Sequence, residues 1–161
     1  INKLMKNYKI ILLFVLTLLM LSCGFKPINK INNQLIHIQN LNVTGEQKVS
    51  YLLKNNILLI SNSASENKYN ADLTIDKQKS SKIKNKSGKI TRYNLSLSVN
   101  VKLTNIEDET LIQKTFLKSV DYDVAEIHSD TVRNENNAIK SATQQISDDI
   151  INLINLSLRE K

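Results

Sequence analysis

Residues whose types and spacing could do chemistry fall at two places in this chain. The first is Cys23, the single cysteine of 161 residues, which excludes a disulfide within the chain. The second is the segment from Lys77 to Arg92, where Lys77, Lys79, Lys82, Lys84, Lys86, Lys89 and Arg92 stand with no acidic residue among them. Clustered cations make charge-assisted hydrogen bonds to phosphates or carboxylates, with lysine acting as a point charge rather than a bidentate fork. Elsewhere the pattern argues against catalysis and against a metal. His37 and His128 have no cysteine partner and no ligand spacing for zinc. No serine lies in a nucleophile-elbow context, and beyond Cys23 the glycines are only Gly24, Gly45 and Gly88, so no loop can cradle a nucleotide phosphate. The residues therefore predict a protein that is not an enzyme and holds no metal.

What precedes Cys23 explains the cysteine. Lys6 and Lys9 lead into an apolar run from Ile10 to Leu21 broken only by Thr17, and Ser22 follows. Positive charge, a short apolar core and a small residue make a secretory signal. As a helix, its twelve residues would reach roughly 18 Å, short of a bilayer's ~30 Å hydrocarbon core, so a permanent span is disfavoured. Met5 is a candidate start residue. Met20-Leu21-Ser22-Cys23-Gly24 resembles a bacterial lipobox, in which the cysteine becomes the acylated first residue; an ordinary signal with a coincidental cysteine is the alternative. Acyl chains contribute ~0.8 kcal/mol per buried CH₂, and more than one chain holds a protein on a membrane. The organisation expected is a signal peptide over 1–22, a lipidated tether over 23–34 and one domain over 35–161.

Charge placement says more than charge total. The chain carries +7, of which Lys3, Lys6 and Lys9 precede Cys23, leaving +4 beyond it. Residues 77–92 alone carry +7, so the rest of the mature part is net negative by three. A basic patch on a mildly acidic body suits an anionic partner. Equally, lysines can shield a strand edge from mispairing.

The elements that must carry this patch can be read from periodicity. Gln34–Val43 reads as a strand with an irregularity at Asn40, and Gly45 closes it. From Glu46 to Ile60, Val49, Leu52, Leu53, Ile57 and Ile60 mark one face of a helix. Ala71, Leu73 and Ile75 alternate with polar residues, and Tyr93 to Leu103 alternates strictly over eleven residues. Between these strands Asn85-Lys86-Ser87-Gly88 supplies a tight turn, so the cations ride on a long hairpin. A second turn at Asn105–Glu109 leads to a strand over Leu111–Val124. Ser129 or Asp130 then caps a long helix with Ala138, Ile139, Ala142, Ile146, Ile150, Leu153 and Ile154 on one face. Strand, helix, three strands, helix predicts an α+β two-layer sandwich, a mostly antiparallel four-stranded sheet with two helices on one face.

The lipobox followed by Gly24-Phe25-Lys26-Pro27, this element order, the Thr91–Val99 strand behind a basic turn, and the long last helix together resemble the LPS-assembly lipoprotein family, LptE. The resemblance implies an α+β domain anchored in the inner leaflet of the Gram-negative outer membrane through diacylglycerol and an N-acyl chain on Cys23, with no other cofactor. It implies a place as plug inside the LPS-assembly β-barrel LptD, a role in that barrel's assembly, and contact with lipopolysaccharide. In that family basic residues of the hairpin turn and of the last helix's start contact lipopolysaccharide; Lys86 and Arg133 hold those positions here. Lys82, Lys84, Lys86, Lys89, Arg92 and Arg133 are the candidate contact residues. The absence of Asp after Cys23 favours the outer membrane. A lipid-anchored module of a different envelope complex is the competing reading. A nucleic-acid partner is disfavoured, since an exported protein does not meet it and Tyr93 is the hairpin's one stacking aromatic.

Overall fold

The computed structural model describes residues 36–159, and side chains as far as Ser157. The expected signal segment, Cys23 and the tether over 23–34 lie outside the described residues. The described chain runs β1 (His37–Thr44), α1 (Gln47–Leu58), β2 (Lys68–Lys84), β3 (Ile90–Asn105), β4 (Thr110–Asp123) and α2 (His128–Arg159). The four strands form one sheet in sequence order; β1 and β2 are parallel, joined across α1, and the other neighbours are antiparallel. The two helices cover one face, as an α+β sandwich requires.

Each element follows from its sequence. Around β1 the buried residues Ile36, just before the strand, and Ile38 and the half-buried Leu41 and Val43 have opposite parity. A bulge between Ile38 and Asn40 absorbs the extra residue, so both pairs meet the core. In α1, Val49, Leu53 and Ile57 are buried at intervals of four. The Glu46 backbone is extended and its carboxylate accepts from the Val49 N–H at 2.7 Å, so this residue is the N-cap rather than part of the first turn. Partial burial pushes the Glu46 carboxyl up, but the Val49 N–H and Lys77 outweigh it and leave it below the usual range.

The hairpin is much longer than the alternating segments alone suggest. β2 continues to Lys84 although its apolar alternation stops at Ile75, because β3 pairs with it throughout, from Tyr69↔Asn105 to Lys84↔Ile90. Leu95, Leu97, Val99, Val101 and Leu103 form the middle of the core, each at most 1% exposed. Over them α2 lays Ala138, Ile139, Ala142, Ile146, Ile150 and Ile154. Thr143 and Ser147 are buried in the same stripe, and their hydroxyls donate to Ile139 O and Thr143 O at 2.7 and 2.8 Å, so neither is orphaned. The stripe closes at Ile154, beyond the half-buried Leu153, and Leu156 is 62% exposed.

Candidate functional site: the basic hairpin

The β2–β3 turn is built to be rigid and to point its lysines outward. Asn85 Oδ1 accepts from the Ser87 N–H, the Ser87 hydroxyl and the Lys89 N–H at 3.1, 2.8 and 2.9 Å. The Gly88 N–H donates to Asn85 O at 3.0 Å, with Gly88 at φ +81°. This is the asparagine-anchored turn expected from the residue types.

The seven cations, contiguous in sequence, divide into two groups in space. Lys77 and Lys79 continue the parity of Ile75 and lie on the helix side of the sheet. There Lys77 pairs with Glu46 at 3.2 Å and Lys79 with Glu135 at 2.8 Å. On the opposite face Lys82 pairs with Asp121, which also accepts from Asn94 Nδ2 at 2.7 Å, and Arg92 pairs with Asp123 at 2.6 Å. The Asn94 amide, followed by Lys82, holds the Asp121 carboxyl below its ordinary value. Among the described residues Lys84, Lys86 and Lys89 have no acidic partner, and they stand exposed at the tip. Among the six candidate contact residues, then, three are free for an external anion and Lys82 and Arg92 are engaged. Arg133, in the second turn of α2, pairs with Asp130 at 3.1 Å, and among the described residues no hydrogen bond or ion pair joins it to the hairpin.

A constellation that the linear pattern does not disclose joins the hairpin to α2. The Lys79 ammonium lies 4.3 Å from the Tyr93 ring centre and 5.4 Å from that of Tyr122. The two rings stack at 5.6 Å, and the Tyr122 hydroxyl donates to Glu135 at 2.9 Å. The hydrogen bond from Lys79 holds the Glu135 carboxyl below its usual range against partial burial, and burial pushes the Tyr122 hydroxyl up. The signal available in sequence was the shared parity of Tyr93 with the β3 core face; that Tyr122 and Glu135 meet it depends on the β3–β4 register, Tyr93↔Tyr122. Beside this latch is a cleft of about 340 Å³ lined by Lys79, Lys89, Tyr93, His128, Val132 and Glu135. Asp149 pairs with Lys118 of β4 at 2.8 Å and fastens α2 to the sheet. Among the described residues no three His, Cys, Asp or Glu side chains gather to hold a metal ion, and no helix is long and apolar enough to cross a membrane.

Fold and surface together define a class, a small α+β sandwich whose long β-hairpin projects uncompensated cations away from the body. The chain belongs to the family described as LptE: Lipopolysaccharide-assembly, whose model matches residues 29–154. Among solved structures, the fold is similar to a protein from Caulobacter crescentus at 17% identity, TM-score 0.61, over 80% of this chain and 93% of that one. It is also similar to rare lipoprotein B from Shewanella oneidensis at 16% identity, TM-score 0.56, over 71% and 91%. No curated protein matches the sequence.

Proposed function

We propose that this protein is an outer-membrane lipoprotein, anchored through acylated Cys23, that plugs and helps assemble the LptD β-barrel and takes part in lipopolysaccharide transport to the cell surface. It contacts lipopolysaccharide through the hairpin tip. Family membership supports the assembly role. The observation that carries the contact is the division of the cations: four of seven are neutralised by Glu46, Glu135, Asp121 and Asp123, while Lys84, Lys86 and Lys89 at the tip are not. A phosphate arriving there displaces no internal carboxylate. At Lys82 or Arg92 it would first break an existing pair, so those two contribute less to binding. Export disfavours nucleic acid as the partner.

Replacing Lys84, Lys86 and Lys89 together by glutamine tests the contact. Three exposed charges at ~0.3–1 kcal/mol each predict roughly a five- to hundredfold weaker affinity for lipopolysaccharide at low salt, with the difference narrowing as salt screens the wild type. Unchanged affinity at low and at moderate salt would remove the hairpin from the contact. For the partner, the tagged lipidated protein is recovered from detergent-solubilised envelopes. A large outer-membrane β-barrel in about one-to-one amount supports the plug. Recovery alone, or with a soluble periplasmic protein, points instead to a module of a different envelope complex.

A further inference from the structure

β2 is longer than the strand beside it, and the difference leaves a sheet edge open. β1 pairs with β2 only from Lys68 to Thr74, because Gly45, at φ +118°, turns the chain out of the sheet against Ile75 and into α1. From Asp76 to Lys84, β2 has β3 on one side and, among the described residues, no strand on the other. Asp76, Gln78 and every residue from Lys79 to Lys84 are exposed, whichever face their parity gives them.

The ladder fixes which backbone groups face out. The Val124 N–H donates to Thr91 O at 2.9 Å, so the odd-numbered residues of β3 turn their N–H and C=O to β4 and the even-numbered ones turn theirs to β2. Asp76↔Ser98, Gln78↔Ser96 and Ser80↔Asn94 are therefore the bonded pairs of the hairpin. Leu73, Ile75, Lys77, Lys79 and Ser81 direct their backbone groups to the opposite side. At the first two that side is filled: Leu73 O accepts from the Thr44 hydroxyl at 3.3 Å, and Gly45 packs on Ile75 O. Lys77, Lys79 and Ser81 each present a donor and an acceptor with no strand to meet them. Register shifts at Ser81/Ile83 and Ile83/Lys84 then end the regular run.

An unpaired edge of this kind is a template for one more strand. Its charge selects which strand. Lys77, Lys79 and Lys82 stand along it against Asp76 alone. Their side chains keep 27%, 39% and 49% exposure despite their internal pairs, so carboxylates on an incoming strand can reach them. A strand of like charge, a second copy of this one included, is repelled. We propose that Lys77–Ser81 is a β-augmentation site for a short, extended, acidic segment of the barrel that this protein plugs. This rests on the barrel reading given above. It is separate from lipopolysaccharide contact at the tip, which uses side-chain charge, whereas strand addition uses the backbone.

Amide hydrogen exchange at single-residue resolution tests this, on the full-length protein alone and in the complex recovered from detergent-solubilised envelopes. In the free protein Gln78 and Ser80 should exchange slowly and Lys77, Lys79 and Ser81 fast, following the ladder. In the complex the inference expects that alternation to vanish, with exchange at Lys77, Lys79 and Ser81 slowed at least about tenfold. Carbodiimide coupling of the same complex, which joins amines to carboxylates, is expected to link Lys77, Lys79 or Lys82 to Asp or Glu of the barrel. A recovered barrel with the alternation unchanged overturns the strand addition and leaves the barrel reading standing. Protection of the three amides with no such coupling overturns the acidic assignment. Recovery of no barrel overturns both readings.

Discussion

Gly45 joins β1 to α1 at φ +118°, a conformation that side-chain-bearing residues rarely adopt. A Cβ built there would lie 2.3 Å from Ile75 O, 2.9 Å from Ile75 Cβ and 3.0 Å from Ile75 C. Two of those atoms are backbone of β2, which pairs with β1 on one side and β3 on the other, so β2 cannot retreat without breaking a ladder. For G45A the backbone term is of order 1–3 kcal/mol, and forcing a methyl into occupied space adds ~1–3 kcal/mol. The expected loss is about 3–5 kcal/mol, a large share of a small domain's stability. Gly88 is the control, since it also has positive φ, +81°, but a Cβ there meets nothing within 4 Å. G88A should cost only the backbone term, about 1–2 kcal/mol. Urea unfolding followed by far-UV circular dichroism measures both. With a slope of ~1.5–2 kcal/mol per molar, the G45A midpoint should fall by roughly 1.5–3 M and that of G88A by roughly 0.5–1.3 M. A G45A protein within ~0.5 kcal/mol of wild type, or one no worse than G88A, would refute the reasoning that β2 is an immovable wall behind this turn.

The remaining expectations rest on the carboxylates. E46A removes both the α1 cap and the Lys77 pair and should cost ~1–2 kcal/mol, whereas E46Q keeps an acceptor for the Val49 N–H and should cost less; equal losses in urea unfolding would show that the cap contributes nothing. Glu135 is held below the ordinary carboxylate range first by the Lys79 hydrogen bond. A depressed carboxylate contributes stability that is present above the unfolded value and lost as pH falls through the lower folded value. Stability should therefore decline below about pH 4.5, and E135Q, destabilised at pH 7, should lose less than wild type across that acid range in a pH series of thermal melts. An acid slope unchanged by E135Q would mean that the latch with Lys79 does not form in solution.

Much of this architecture was legible in the sequence because its signals are local. Strict alternation from Tyr93 to Leu103 could only be a strand with one buried face, and Asn85-Lys86-Ser87-Gly88 could only be a turn, since asparagine's carbonyl and glycine's positive φ close it without help from elsewhere. The irregularity at Asn40 was visible as a parity conflict between Ile38 and Leu41, and the bulge resolves it. The helical stripe of α2 was readable from spacing, down to the residue where it stops. What periodicity could not supply was the outer half of β2, Gln78 to Lys84, which has no apolar alternation and is a strand because β3 offers it a ladder.

The sequence by itself also determined that positive charge concentrates in residues 77–92, because charge is a property of composition and order. Only the tertiary structure decided which of those charges are available. Glu46 lies 31 residues before Lys77, Asp121 lies 39 after Lys82, and Glu135 lies 56 after Lys79. Those partners meet only after the sheet register is set and α1 and α2 settle on one face, since a one-residue slip would turn every β2 lysine to the other side. Neutralisation is a matter of distance in space, and among the described residues no carboxylate pairs with Lys84, Lys86 or Lys89.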